Sequence, residues 1–293
     1  MFALLILLTA ATALSLPGLF LVLRKLAMLG DALSHTVLLG IVLGYFIVPD
    51  LNSPILILAA SLFSVLTVTV IEFLNQKGGL AGDASIGIVF PFFFSLGVIL
   101  LSRYLRNVHL DLDCVIMGDL TFADLVRTEV LGYSVPSSLI NLLLVLLLNI
   151  VFISLFFKEL KLSAFDPQAA EIAGFKKQWL NLGLSLMVAI SAVVSFEIVG
   201  AILVIAFLVI PASFALLFTH SLEQSLWLSL GFTLVVGSIS FGLAWHFNLN
   251  PAGFTAAVMG LVYIAAFALR DLRQRLKQSR AQESRMKKES LKS

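Results

Sequence analysis

A carboxylate and an imidazole stand four residues apart in an otherwise apolar stretch of the chain. Asp31 and His35 belong to the sequence Gly-Asp-Ala-Leu-Ser-His, which has an apolar run on either side. Residues four apart share one face of an α-helix, and both side chains can ligate manganese, iron or zinc. Ionisable residues are costly inside a membrane and usually serve a function there. The spacing therefore predicts half of a metal site. The alternative is an Asp–His contact that only holds helices together.

The composition indicates that these residues lie in a membrane protein. Of 293 residues, 60% are hydrophobic and only 12% are charged, whereas a soluble domain has about 25% charged residues. We therefore predict an all-α polytopic membrane protein. The single cysteine, Cys114, excludes an internal disulfide and a cysteine-rich zinc site.

Nine segments are long enough to cross a bilayer, which takes about 20 apolar residues as a helix. They lie near residues 2–23, 28–48, 54–74, 84–102, 137–157, 179–198, 200–218, 225–245 and 252–269. The first has no basic residue before Leu16, so we expect an uncleaved span and no signal peptide. Segments six and seven are separated only around Glu197–Gly200, which leaves eight spans as the alternative. Pro91 and Pro211 fall inside segments and should kink them.

The distribution of basic residues predicts the domains and the orientation. We assign residues 1–269 to a transmembrane domain and residues 270–293 to a basic tail, in which nine of the 24 residues are Lys or Arg. Basic residues favour the cytoplasmic side, so the tail and the loop 158–178 are expected in the cytoplasm. The loop 103–136 is then expected outside.

Two weaker sets of metal ligands lie on the predicted outer side. His109, Asp111 and Asp113 alternate with leucines and would share a face in an extended strand. An amphipathic interfacial stretch is the alternative. Glu197 lies at the predicted outer end of segment six. It is either a gate residue or a charge at the level of the lipid head groups.

The loop 158–178 contains the signals of a short helix. Asp166 can cap it, Pro167 suits its first position, and Gly174 after Ala173 can end it. A short helix between two spans could dock into a groove of another protein, and a plain interfacial loop is the alternative. No Gly-Lys dipeptide occurs in the chain, so it lacks the phosphate-binding G-x-x-x-x-G-K-[ST] loop, and it also lacks H-E-x-x-H. We expect no enzyme activity, no cofactor and no nucleic-acid partner.

Five blocks of sequence resemble the permease subunits of manganese/zinc/iron ABC transporters. They are residues 23–35, 83–90, 109–120, 164–174 and 199–212, which include the Gly-Asp-Ala-Leu-Ser-His motif and the Ala-Phe-Asp-Pro motif. The basic tail departs from the family's pattern, as does Leu39, where many members carry proline.

The resemblance implies an importer permease of the metal-chelate/vitamin type in a bacterial plasma membrane. It implies a homodimer with the path at the subunit interface, where Asp31 and His35 of each subunit would contact the ion. A separate ATP-binding subunit would dock at Phe165, Asp166, Pro167, Ala173 and Gly174. An extracytoplasmic solute-binding protein would deliver the metal. Manganese is the expected substrate, with zinc or iron(II) as alternatives. The competing class is an ion-coupled secondary transporter that uses Asp31 and His35 as a relay.

Overall fold

The computed structural model describes residues 2–50, 53–79, 82–104, 127–130, 133–175 and 177–290. The helices before the only hairpin of these residues are α1 (Phe2–Leu23), α2 (Ala27–Ile47), α3 (Pro54–Lys77) and α4 (Gly82–Tyr104). The hairpin consists of β1 (Arg127–Val130) and β2 (Tyr133–Pro136). The later helices are α5 (Ser137–Leu155), α6 (Phe157–Phe165), α7 (Pro167–Ile172), α8 (Lys177–Val199), α9 (Ala201–Phe218), α10 (Leu222–His246) and α11 (Pro251–Ser290).

The described helices confirm the all-α membrane architecture. Nine of them are long and apolar enough to cross a bilayer, and each coincides with one predicted segment. Gly200, with φ of +80°, separates α8 from α9. The 18 residues of α9 extend about 27 Å at 1.5 Å per residue, so α8 and α9 each have the length of a span. Pro91 and Pro211 lie inside α4 and α9, as predicted, and Pro17 lies inside α1.

The centre of the bundle is the crossing of α1 and α9. Both helices are apolar on nearly every side, and both are largely buried. Gly18 lies so close to α9 that a Cβ atom there would collide with the backbone carbonyl of Leu208. Small residues allow membrane helices to approach in this way. The central pair thus forms a fixed support on which α2, α8 and α10 pack.

Small residues also set the packing of α2 against α3 and α4. A Cβ atom on Gly40 would lie 2.7 Å from Cα of Ala60, and one on Gly97 would lie 3.2 Å from Cα of Leu39. Leu39, the position that departs from the family's pattern, is buried in this contact with α4. The three helices therefore form a close-packed unit that carries Asp31 and His35.

One feature was not predicted from the sequence. The antiparallel hairpin pairs Arg127 with Pro136 and Val130 with Tyr133 in a stretch predicted only as an outer loop. Further along the chain, α11 is one helix of 40 residues, about 60 Å long, and it continues past the boundary expected at residue 269. An ion pair of 2.8 Å between Arg275 and Asp271 lies just after that boundary.

Candidate metal site and coupling segment

A tight turn fixes the start of the helix that carries the Asp–His pair. The backbone N–H of Lys25 donates to Val22 O at 3.0 Å, and that of Leu26 donates to Leu21 O at 3.0 Å. Lys25 adopts the left-handed conformation, with φ of +60°. The turn therefore leads directly from α1 into α2, and Asp31 and His35 follow in the first half of α2.

Asp31 and His35 are brought together on one face of α2. Nε2 of His35 lies 3.3 Å from Oδ1 of Asp31, and 32% of the His35 side chain and 38% of the Asp31 side chain are exposed. Two ligand atoms each about 2.1 Å from one ion would be about 3.4 Å apart at the tetrahedral angle and about 3.0 Å apart at a right angle. The observed separation lies between these values, so both atoms can reach the same cation.

The alternative, a structural contact between helices, fits the geometry less well. The same separation is that of an ion pair when the imidazole is protonated, but both residues belong to α2. The pair therefore does not connect two helices. An i, i+4 pair that is a third exposed contributes only a few tenths of a kcal/mol to a helix.

Two phenylalanines of α4 hold the imidazole. The rings of Phe90 and Phe94 each have their centroids 5.4 Å from that of His35. Since both residues are one turn apart on α4, they form an aromatic wall on one side of the imidazole. Analysis of the sequence missed this role, although Phe90 closes the second resembling block and segment four is rich in phenylalanine.

One protomer supplies too few ligands for a closed site. Among the residues that the structure describes, no group of three or more His, Cys, Asp or Glu side chains could hold a metal ion. The exposed Met28 precedes Asp31 by three residues on the same face of α2. Asp31 and His35 are therefore two candidate ligands on a partly exposed face, and their role in metal binding stays a prediction.

The weaker candidate ligands are four residues: His109, Asp111, Asp113 and Glu197. His109, Asp111 and Asp113 lie outside the described residues. Glu197 lies two residues before the end of α8, which places it at the opposite end of that helix from the loop 158–178. Their roles as metal ligands or gate residues stay predictions.

The loop 158–178 forms two short helices, α6 and α7. Oδ1 of Asp166 accepts a hydrogen bond of 2.9 Å from the backbone N–H of Ala169, and Pro167 is the first residue of α7. The N–H of Ala173 closes the helix on Ala169 O, and Gly174 follows with φ of +82°. The predicted cap, first position and end of this helix are confirmed. We call residues 157–174 the coupling segment.

The coupling segment exposes apolar side chains that its own chain does not cover. Phe165 is 57% exposed at the end of α6, and Ile172 is 88% exposed at the end of α7. Exposed apolar residues beside a capped, rigid helix suit docking into a partner's groove. Docking itself stays a prediction.

A cavity of about 920 Å³ lies between the coupling segment and the start of α2. Its walls include Arg24, Glu72 of α3, and Glu171 and Gly174 of the coupling segment. Burial lowers the pKa of Arg24 to about 10, although the nearby Glu72 carboxylate acts in the opposite direction. The Arg24 guanidinium thus remains protonated at neutral pH. The sequence alone did not reveal this environment of Arg24, because no local signal indicates contacts with residues far along the chain.

Several known proteins are similar in sequence to this chain. The chain is 44% identical over 207 residues, 71% of its length, to the zinc transport system membrane protein TroD of Treponema pallidum. That alignment spans 56% of the relative's own length. This chain is also 39% identical over 255 residues, 85% of each protein, to the manganese transport system membrane protein MntD of Bacillus subtilis.

Two solved structures share the fold. PsaBC from Streptococcus pneumoniae in complex with Fab has a TM-score of 0.74 at 23% identity, with 90% of this chain and 89% of that chain covered. A metal-chelate type ABC transporter in an inward-facing conformation has a TM-score of 0.62 at 17% identity, with 91% and 84% covered. The sequence model of the family described as "ABC 3 transport family" matches residues 1–270. The chain therefore belongs to the ABC 3 transport family.

Proposed function

We propose that this chain is the membrane permease of an ATP-driven importer of divalent transition metal ions, with manganese as its main substrate. The ion would pass between two copies of the chain and contact Asp31 and His35 of each. The observation that carries the proposal is the 3.3 Å separation of His35 Nε2 and Asp31 Oδ1 on an accessible face of α2.

A second copy of the chain would complete the site. One protomer offers one oxygen and one nitrogen ligand, whereas two protomers would offer two of each. An ionisable pair that is a third exposed is unfavourable against lipid, and a second copy would remove it from lipid contact. The outer surface of α4 supports this arrangement, because it is apolar and largely exposed at Ile88, Phe92 and Ile99.

The choice of metal rests on ligand chemistry and on the relatives. Carboxylate and imidazole suit manganese, iron(II) and zinc alike, and affinity alone would rank zinc above manganese. The relative that aligns over 85% of both proteins is named as a manganese transport protein, which supports manganese. Zinc is the first alternative, because TroD is named as a zinc transport protein, and iron(II) is the second.

Energy and metal supply would come from other proteins. The sequence lacks the phosphate-binding motif, so a separate ATP-binding subunit would bind Phe165, Asp166, Pro167, Ala173 and Gly174 of the coupling segment. A solute-binding protein would deliver the ion on the opposite side of a bacterial plasma membrane. The basic tail and the coupling segment would then both lie in the cytoplasm, in agreement with their Lys and Arg residues.

The test is uptake of radioactive Mn²⁺ by proteoliposomes that contain the chain, its co-purifying ATP-binding subunit and the matching solute-binding protein. We expect uptake that requires ATP, and we expect Asp31→Ala and His35→Ala each to abolish it without loss of the complex. His246→Gln is the control, since His246 is exposed at the end of α10. Normal uptake by both site variants would refute the assignment of the site. Uptake that requires a proton gradient but does not require ATP would favour the secondary transporter.

A further inference from the structure

The turn between α1 and α2 holds the coupling segment through one side chain. Nη2 of Arg24 donates a hydrogen bond of 2.7 Å to Oγ of Ser163 in α6, and Nη1 donates to Oδ1 of Asn181 in α8. These partners lie 139 and 157 residues further along the chain. A single guanidinium thus joins the start of the metal-bearing helix to the coupling segment, at Ser163, and to α8, at Asn181.

Both partners of Arg24 belong to rigid parts of the chain. Ser163 is buried and donates its own hydroxyl to Leu160 O at 3.2 Å, so its oxygen is oriented to accept from Arg24. It also precedes Asp166, the cap of α7, by three residues. Asn181 is the fifth residue of α8. A movement of α6 or α7 would therefore directly change the hydrogen bonds of the guanidinium.

Arg24 lies in the hydrogen-bonded turn that leads from α1 into α2. Its backbone N–H donates to Phe20 O of α1 at 3.1 Å, and the left-handed Lys25 follows immediately. From there only seven positions separate Arg24 from Asp31. Because the intervening turn and helix are hydrogen-bonded, a pull on the guanidinium would displace the first turns of α2 as a unit.

The cavity beside Arg24 leaves room for such a movement. It opens between the coupling segment on one side and Glu72 and Asn75 of α3 on the other, so the coupling segment is not packed tightly against α3 there. Glu72 attracts Arg24 electrostatically, yet the described part of the chain contains no ion pair between the two. Glu72 is therefore a second acceptor within the same cavity.

A purely structural junction would not need a buried guanidinium. Desolvation of a charge costs several kcal/mol unless its partners compensate for it, and neither Ser163 nor Asn181 is charged. In addition, Nε of Arg24 has no hydrogen-bond partner among the described residues. A well-packed apolar side chain would stabilise the same junction at a lower cost.

We propose that Arg24 is the positioning residue that transmits movement of the coupling segment to the metal-bearing helix α2. In the state seen here, Arg24 donates hydrogen bonds to Ser163 and Asn181. When the coupling segment moves away, Arg24 would donate to Glu72 across the cavity instead. The inference rests on the proposed function, because it presupposes a permease driven by an ATP-binding subunit.

The experiment measures Mn²⁺ uptake and ATP hydrolysis side by side in the reconstituted complex described above. We expect Arg24→Met to lower the ratio of ions taken up to ATP hydrolysed by at least about fivefold, the lower end of ordinary coupling between sites. Equilibrium Mn²⁺ binding should remain unchanged, since Arg24 does not touch the ion. Arg24→Lys should lower the ratio of ions taken up to ATP hydrolysed in part, because an ammonium keeps the charge but lacks the planar fork that reaches two acceptors.

Controls separate this inference from its premise. Lys77→Met removes an exposed cation from the end of α3 whose described contact is with Phe73 of the same helix, and it should keep the wild-type ratio. If the wild-type complex shows no ATP-dependent uptake, the proposed function fails. If it does, a wild-type ratio in Arg24→Met overturns the role of Arg24 alone. Should Arg24→Met fail to assemble, the double variant Ser163→Ala/Asn181→Ala replaces it, and a wild-type ratio there also overturns the role.

Discussion

Gly30 of α2 lies directly against Leu208 of α9. A Cβ atom at position 30 would come within 2.9 Å of Cδ1 of Leu208. The same leucine provides the backbone carbonyl against which Gly18 of α1 packs. The residue just before Asp31 is thus positioned by the central helix pair, and the position of this candidate metal ligand depends on a contact between residues 178 positions apart in the sequence.

Gly30→Val should weaken metal binding by displacing α2 from α9. The added side chain cannot be accommodated without a shift, and overpacking of this kind costs about 1–3 kcal/mol. We expect a lower affinity for Mn²⁺, measured by titration of the purified chain, together with a lower melting temperature. Gly242→Val is the matched control, because nothing lies within 4 Å of a Cβ atom at Gly242. Equal affinities in the two variants would contradict the role of the Gly30 contact.

Phe90→Leu should lower Mn²⁺ affinity without removal of a ligand. The phenylalanine ring packs on the imidazole of His35, so its loss frees the imidazole to rotate away from Asp31. Loss of groups that orient a ligand typically costs 10–100-fold in affinity, and we expect a decrease at the lower end, about tenfold. Phe247→Leu is the control, since the described ring contact of Phe247 is with His246 at the end of α10. An unchanged affinity in Phe90→Leu would show that Asp31 and the helix alone orient the imidazole.

The parts of the architecture that depend on local sequence were predictable. Apolar runs predicted the nine long helices, because a bilayer requires about 20 apolar residues per span. The cap at Asp166 and the helix end at Gly174 were also predictable, because each depends only on residues of its own turn. The i, i+4 spacing of Asp31 and His35 likewise fixed their common face.

The parts that depend on distant contacts were not predictable from one sequence. Phe90 and Phe94 reach His35 only because α4 packs on α2. Arg24 has the same sequence context as any basic residue at a helix end, and only the tertiary structure joins it to Asn181. The hairpin at 127–136 was missed because two strands of four residues have too few positions for a periodic pattern.

Asp166→Ala should weaken binding of the ATP-binding subunit through loss of the α7 cap. The carboxylate accepts the N–H of Ala169 at 2.9 Å, and loss of such a cap costs about 0.5–2 kcal/mol. A helix of six residues has little else to stabilise it. We expect a lower yield of the ATP-binding subunit in co-purification. Asp166→Asn keeps a capping oxygen and should retain most of the complex. Equal loss in both variants would instead indicate that the charge itself contacts the partner.

Asn149→Leu should destabilise the fold and leave metal affinity unchanged. Nδ2 of Asn149 on α5 donates to Ala13 O of α1 at 2.9 Å and to Ser191 Oγ of α8 at 2.7 Å, and the residue is buried. It therefore joins three helices at a distance in sequence from the Asp31–His35 pair. Hydrogen bonds between membrane helices contribute about 0.6 kcal/mol on average and up to about 1.7. We expect a loss of about 1–2 kcal/mol in the free energy of unfolding, measured in detergent by chemical denaturation. Asn141→Leu, on the same helix but exposed, is the control, and an equal loss there would mean that the three-helix contact adds nothing specific.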